Sequence, residues 1–305
     1  MKKRFSEEQI VKMIQEHKQG KNVSEISRKY GVAEQTFYKW QQKYGDMKVS
    51  EVKKMKSLED ENARLKRLVA ELSLEKMKAI IAKHPRAGCN SITMYLHKDG
   101  IVINHKRVER LYSQNKMQLK NRKKGHKKYS VKKREEHILT EKVGNWIAID
   151  FVIDSIANKR ALKNLTVIDP VSKVAPRIVP ALSMQGEGVA EVLDEILHEE
   201  KFKFLQTDNG PEFRSSAVQT WCIDHDVKQV FSRPGKPTDN CFIESFNRIF
   251  RDECFNENYF SSLSEAKKII ESWRIDYNEN RPQNGLKELT PSQFKSKLKG
   301  MKNSP

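Results

Sequence analysis

Hydrophobic residues recur every three or four positions through the first 45 residues, a pattern typical of three short helices. A capping-box pattern at Ser6 and Gln9 predicts the start of the first helix, and Gly20 predicts its end. We predict the second helix over residues 23–30 and the third over about 33–43. The residues expected to face inward are Phe5, Ile10, Met13, Ile14, Ile26, Tyr30, Val32, Phe37 and Trp40.

The second and third of these helices are separated by a tight turn at Gly31 and Val32, as in a helix-turn-helix over residues 1–47. In that arrangement the last helix lies in the major groove of DNA. Its exposed residues, which we predict to contact DNA, are Glu34, Gln35, Thr36, Tyr38 and Lys39. A three-helix bundle without a ligand would have the same hydrophobic pattern, so both interpretations stay open.

A seven-residue repeat follows over residues 48–77 and predicts a short coiled coil. Met55 begins the repeat, and the predicted dimer contacts are Leu58, Asn62, Leu65, Val69 and Leu72. A single Asn at such a seam favours a parallel two-stranded register. The alternative is an amphipathic helix packed on its own chain, which normally has a wider apolar stripe.

Residues 78–140 predict a small helical, basic region that links the two halves and binds DNA, with short helices over 79–83, 92–98 and 106–115. The segment 116–134 has ten Lys or Arg in nineteen residues and no acid, so it cannot bury a core but can neutralise phosphates. The predicted contacts there are Arg122, Lys123, Lys124, Lys127 and Lys128.

The region 141–260 alternates short β-rich runs with helices and predicts a mixed α/β domain with a five-stranded sheet, followed by a helical tail over 261–305. The predicted strands cover 146–153, 162–168, 174–179, 204–205 and 227–231, and the predicted helices cover 183–199 and 216–225.

Charge is distributed unevenly along this 305-residue chain, whose formal net charge is +18. Residues 1–140 hold 35 Lys or Arg against 16 Asp or Glu, whereas the remainder holds 23 against 24. This segregation indicates a polyanion-binding half, and DNA or RNA is the expected polyanion. Charge kept only for solubility is the alternative.

Composition excludes other classes of protein. The longest apolar stretch, Trp146 to Ile153, is eight residues interrupted by Asp150, far below the ~20 of a membrane helix. No apolar segment follows the basic N-terminus, so a secretory signal is not expected. The four cysteines have no metal-site or disulfide-scaffold spacing. We therefore expect a cytoplasmic protein with reduced thiols.

Three acids stand out in the neutral half. Asp150 interrupts a buried strand, Asp208 follows another strand, and Glu244 begins a helix on which Arg248 and Arg251 share its face. Carboxylates without a His or Cys cluster suit Mg²⁺ or Mn²⁺, and two such ions can support phosphoryl transfer. Taken singly, the acids are equally explained as a solvated strand end, a turn residue and half of a helix salt bridge.

The sequence around these acids resembles a known family. Asp150 in Trp-Ile-Ala-Ile-Asp-Phe, Asp208 in Thr-Asp-Asn-Gly-Pro-Glu-Phe and Glu244 in Phe-Ile-Glu-Ser-Phe-Asn, with 35 residues between the last two acids, resemble the core of the DDE transposases and retroviral integrases. Arg251 and the run 273–291 are similar to bacterial transposases of the "insertion sequence three" family, which join a helix-turn-helix and zipper to a catalytic core.

This resemblance, over residues 1–77 and 84–300, implies a ribonuclease-H-like fold in which Asp150, Asp208 and Glu244 are catalytic and bind two Mg²⁺ ions, with Mn²⁺ able to substitute. It also implies a homodimer or higher homo-oligomer in the bacterial cytoplasm, associated with the nucleoid. The substrates would be double-stranded DNA, namely the terminal inverted repeats and target DNA, and strand nicking would be followed by strand transfer through a circular intermediate. Arg248 and Arg251 would contact DNA.

Members of the family usually carry a longer segment between zipper and core that includes a second helix-turn-helix. Here the zipper runs almost directly into Ala82-Lys-His-Pro-Arg86, and residues 87–90 replace an aromatic, glycine-rich motif. These departures predict an internal deletion. Two further functions therefore stay open: a catalytically inactive or internally deleted dimeric DNA-binding regulator, and a ribonuclease-H-like nuclease.

Overall fold

The structure is a computed structural model that describes residues 5–45, 47, 49–117, 145–233 and 240–302. The chain divides into two compact units, residues 1–75 and 76–305, and each is described by itself. Among the described residues no helix is both long and apolar enough to cross a membrane.

The first unit begins with three helices, α1 (Glu7–Lys18), α2 (Val23–Tyr30) and α3 (Glu34–Tyr44). The predicted capping box is present, because the Ser6 hydroxyl accepts from Gln9 N while the Gln9 side chain accepts from Ser6 N. Gly31 ends α2 with a φ of 64°, a conformation that favours glycine. The buried cluster contains Ile10, Val11, Met13, Ile14, Val23, Ile26, Val32, Phe37, Tyr44 and Val52. The three predicted helices are confirmed.

A single helix, α4 (Val49–Lys83), follows without a break for 35 residues. The separate helix predicted over 79–83 is therefore wrong, because no glycine or proline interrupts the helix before Pro85. Met55 packs against the buried cluster of the first unit rather than lying on the zipper seam. The exposed apolar stripe thus begins at Leu58, and its members, about half exposed, are Leu58, Leu65, Leu68, Val69 and Leu72.

The second unit begins with the end of α4, followed by α5 (Cys89–Lys98) and α6 (His105–Gln114). Gly100, with a φ of 79°, lies in the turn between α5 and α6. Their shared core contains Met77, Ile80, Ala87, Ile92, Leu96, Ile103, Val108 and Tyr112. This is a second helix-turn-helix, the element that the predicted internal deletion would have removed, and the end of α4 supplies its first helix.

In the α/β half, residues 145–302, the described strands form a five-stranded sheet of order β3-β2-β1-β4-β5. Its strands are β1 (Trp146–Ser155), β2 (Ala161–Ile168), β3 (Ile178–Ala181), β4 (Phe204–Thr207) and β5 (Lys228–Phe231). The first three pair antiparallel, and β4 pairs parallel with both β1 and β5. The mixed five-stranded sheet is confirmed.

The third strand starts later than predicted, at Ile178 instead of residue 174. The Asp169 carboxylate accepts hydrogen bonds from Val171 N and Ser172 N, and Lys173 has a φ of 62°. These contacts form a tight turn that delays the strand.

Helices cover both faces of the sheet. α7 (Gly186–Glu199) and α8 (Ser216–Asp224) pack on the face of Ile147 and Ile149, whereas α9 (Cys241–Glu253) and α10 (Leu263–Glu279) pack on the face of Ala148 and Val152. A last helix, α11 (Pro291–Lys302), contacts α10. The predicted helical tail is thus partly core, because the α10 residue Trp273 packs against aromatic rings of α9.

The exposed stripe of α4 generates a first prediction. We expect residues 1–75 to form a dimer, and Leu65→Asp to make this fragment monomeric, because a charge at the seam would be buried in the dimer. Arg67→Asp, which lies on the opposite side of the heptad, is the matched control. Sedimentation equilibrium at tens of micromolar measures the mass. A monomeric wild-type fragment, or a dimeric Leu65→Asp fragment, would contradict the zipper.

Candidate active site

Asp150, Asp208 and Glu244 come from three different elements of the α/β half. Asp150 lies within β1, Asp208 directly follows β4, and Glu244 lies in the first turn of α9. The pKa of Asp150 is raised from 3.8 to about 6, mainly by burial and in smaller part by the charges of Asp208 and Glu244. Because each of these charges acts on Asp150, the fold brings the three carboxyl groups into one electrostatic neighbourhood.

The donor chemistry of this neighbourhood fits a divalent cation that prefers oxygen ligands. Three carboxylates that repel one another lose that repulsion when a cation lies between them. No three Asp, Glu, His or Cys side chains in the described ranges lie close enough together to ligate a single ion. Asp150, Asp208 and Glu244 are therefore candidate ligands for divalent cations but do not surround a single point.

Asn247 of α9 holds the carboxylate of Asp150, a contact that sequence reasoning missed. Its Nδ2 donates to Asp150 Oδ2 at 2.8 Å, and Phe151 N donates to Asp150 Oδ1 at 2.7 Å. The buried Thr166 hydroxyl lies 2.8 Å from Asn247 Oδ1 and 3.0 Å from the Asp150 backbone oxygen, so it can donate to either. The sequence does indicate Asn247, because it is a polar residue on the otherwise apolar face of α9, three positions after Glu244.

The loop after β4 positions Asp208 through its own backbone. Gly210 N donates to Asp208 Oδ1 at 2.9 Å, and a Cβ at Gly210 would lie only 3.0 Å from that oxygen. A side chain at position 210 would therefore press on the carboxylate. Asn209 Nδ2 donates to the backbone oxygen of Ser232 at 2.8 Å, which ties this loop to the end of β5.

Glu212, in the same loop, forms an ion pair with Lys163 of β2. The Lys163 hydrogen bond lowers the pKa of Glu212, and the ammonium also lies 4.0 Å from the ring centroid of Phe151. This pair neutralises Glu212 and packs against the residue that follows Asp150. Sequence reasoning did not identify either member.

The exposed face of α9 carries the predicted DNA contacts. Glu244, Arg248 and Arg251 are all exposed, whereas Ile243, Phe246 and Phe250 are buried on the opposite face. Within the described part of the chain neither arginine forms an ion pair with Glu244. Glu253, two residues after Arg251, accepts from the Arg281 guanidinium at 2.6 to 3.1 Å.

Lys173, a half-buried residue that sequence reasoning also missed, contacts the first turn of α9. Lys173 Nζ lies 3.4 Å from the ring centroid of Phe242, and burial lowers the pKa of Lys173 to about 8. This cation–π contact joins the turn before β3 to the helical turn that carries Glu244.

The remaining predicted contacts lie elsewhere. Glu34, Gln35, Tyr38 and Lys39 are exposed on α3, and Thr36 is half-buried. Asn62 is exposed on α4, as are the leucines and valine of the predicted seam. The basic residues predicted to bind phosphates, at positions 122–124, 127 and 128, lie outside the described residues.

Four family models match this chain. A transposase model matches residues 1–70, an HTH-like domain matches 69–125, and two models of an integrase core domain match 140–237 and 225–291. The match over 69–125 agrees with the second helix-turn-helix formed by α4, α5 and α6.

Relatives from insertion elements share most of the chain. The 31.7 kDa protein of insertion element IS407 from Burkholderia multivorans is 38% identical over 72% of this chain and 79% of its own length. This chain belongs to the insertion sequence three family of bacterial transposases. The 39.2 kDa protein of IS476 from Xanthomonas euvesicatoria is 35% identical over 69% of this transposase and 61% of its own length. The transposase of IS904 from Lactococcus lactis is 28% identical over 73% and 93%.

The contact between Asn247 and Asp150 generates a second prediction for this transposase. Asn247→Leu should lower DNA nicking about 10- to 100-fold, because the leucine is similar in size but cannot orient the Asp150 carboxylate. Asn278→Leu is the control, since this buried amide exchanges two hydrogen bonds with the backbone of Ala175 and, among the described residues, contacts none of the three acids. Activity per folded molecule is compared, with folding checked by thermal melts. Equal losses in the two variants would make Asn247 a purely structural residue.

The raised pKa of Asp150 generates a third prediction. Its folded-state pKa of about 6 exceeds the ordinary 3.8, so the ionised carboxylate opposes folding. Without divalent ions, the wild type should lose stability relative to Asp150→Asn as pH rises from about 4 to about 6, by up to ~3 kcal/mol, and no further above that. Denaturant unfolding in a chelator measures this difference. A difference that does not change with pH would show that Asp150 titrates normally.

Proposed function

We propose that this transposase binds the terminal inverted repeats of its element and catalyses magnesium-dependent strand nicking followed by strand transfer. The observation that carries the proposal is the electrostatic coupling of Asp150 to Asp208 and Glu244 on an integrase-type sheet. A half-buried carboxylate beside two others is costly in a metal-free fold. Carboxyl groups whose pKa is strongly raised in this way are common in catalytic sites.

Asp150, Asp208 and Glu244 would hold two Mg²⁺ ions, for which Mn²⁺ can substitute. When bound, such ions activate an attacking water or DNA 3′-OH and stabilise the leaving 3′ oxygen. The Asp150 carboxylate would be held in place for this role by hydrogen bonds from Phe151 N on β1 and from Asn247 on α9.

The protein's own groups would bind and orient the DNA. Arg248 and Arg251, on the exposed face of α9 with Glu244, would contact phosphates beside the reacting bond, where a charge-assisted hydrogen bond stabilises developing charge. The exposed residues of α3 would contact bases of the terminal repeat. No covalent intermediate between protein and DNA is needed, because an oxygen nucleophile attacks the phosphorus directly.

Affinity for DNA would come mainly from the basic half of the chain. Residues 1–140 hold 35 Lys or Arg against 16 Asp or Glu, and neutralised phosphates release counterions on binding. The stripe on α4 would join two copies of the chain, so that one dimer offers two DNA-binding heads.

A fourth prediction tests the catalytic assignment. Glu244→Gln should abolish nicking and strand transfer but leave affinity for end DNA near the wild-type value, because it removes one ligand charge and little volume. Glu191→Gln is the control. It removes the same charge from the exposed side of α7, which packs on the face of the sheet opposite to α9. Labelled duplexes that end in the terminal repeat are incubated with Mg²⁺, and nicked and joined products are separated on denaturing gels.

The products of this assay separate the alternatives. Mg²⁺-dependent cleavage by Glu244→Gln would exclude Glu244 as a metal ligand. Wild-type protein that binds the repeat without nicking it would support a DNA-binding regulator instead. Cleavage that never leads to joining would support a nuclease.

A further inference from the structure

The second helix-turn-helix is strongly basic but presents two different surfaces. Residues 76–117 carry nine Lys or Arg against two acids. One surface, formed by the end of α4 and by α5, contacts the α/β half. The other, formed by α6 and the turn before it, is exposed.

Ion pairs hold the first surface against the acidic end of α10 and its neighbours. Lys83 Nζ lies 2.9 Å from Asp276 Oδ1, and Arg86 pairs with Glu257. Lys98 Nζ donates to the backbone oxygens of Glu279 and Asn280 at 3.1 and 3.2 Å, at the C-terminal end of α10. Single exposed ion pairs contribute little, but several that converge from two helices define one orientation.

A further contact comes from α5. His97 Nδ1 lies 2.8 Å from Glu288 Oε2, while its Nε2 lies 3.0 Å from the backbone oxygen of Ile103. The His97 side chain thus contacts both the α/β half and Ile103, the residue before Asn104, which caps α6. The orientation of α6 is therefore coupled to this interface.

The second surface has the composition of a DNA-contacting helix. Lys106 and Arg110 are exposed one turn apart on α6, with Glu109 the single acid beside them. Val102, in the turn before α6, is 96% exposed. Lysine and arginine bind phosphates and guanine edges, and an exposed apolar side chain suits the methyl group of thymine.

We infer that Val102, Lys106 and Arg110 form a second DNA-contacting surface, which the ion pairs at α10 fix on the catalytic core so that it binds the base pairs next to the cleaved bond. The inference rests on the proposed function. The ligand is double-stranded DNA entered through its major groove. The contacts of this head set where the nick falls, whereas the head on α3 belongs to the other compact unit.

Footprinting with the full-length protein tests the surface itself. The probe is a duplex that carries one terminal repeat of the element and its flanking DNA. The double variant Lys106→Ala/Arg110→Ala should lose protection of the base pairs beside the cleavage site but keep the protection due to α3. Its rate of DNA nicking should fall at least about tenfold. The control, Lys76→Ala/Lys78→Ala, removes the same charge from exposed positions on α4 and should keep both footprints.

A charge exchange tests the role of the interface. Asp276→Lys should spread the nick over neighbouring positions, and Lys83→Asp in the same chain should restore a single position. An α6 variant with the wild-type footprint would overturn the inference, as would a single nick position in Asp276→Lys. Because the footprint needs no cleavage, it tests the inference even if the wild type never nicks.

Discussion

The hydrogen bond from Asn247 to Asp150 joins β1 to α9, the two elements that carry Asp150 and Glu244. Asp150 lies within the central strand, where a carboxylate loses hydration, and it is retained there with a raised pKa. Its amide partner is on α9, the same helix that carries Glu244. Packing of α9 on the sheet therefore sets the separation of these two carboxylates, and the aromatic residues of α10 stabilise that packing. The C-terminal helix α10 therefore helps to position the candidate site.

A second constraint is the continuity of α4. The start of this helix packs against the first helix-turn-helix, and its middle carries the exposed apolar stripe. Its end is the first helix of the second helix-turn-helix. The basic residues that follow the stripe are divided between two tasks. Some pair with carboxylates at α10, and others stay exposed on α6.

Local pattern was sufficient to predict much of this fold. Periodicity and caps predicted the three N-terminal helices, and the alternation of strands and helices predicted the five-stranded sheet. Sequence could not show that α4 continues to Lys83, since the heptads stop before the helix does. It also placed β3 too early, because the Asp169 turn depends on side-chain hydrogen bonds that apolar patterning does not register. The three acids were found from their type and spacing, but Asn247, Thr166 and Lys173 act through contacts between elements distant in sequence, which spacing does not reveal.

We propose that Asp150, Asp208 and Glu244 together hold two divalent cations. Binding of Mn²⁺ in the absence of DNA, followed by electron paramagnetic resonance, tests it without any dependence on catalysis. Each of Asp150→Asn, Asp208→Asn and Glu244→Gln should weaken Mn²⁺ binding relative to the wild type, while Glu191→Gln should leave it unchanged. Mn²⁺ binding of wild-type strength in all three variants would contradict the account.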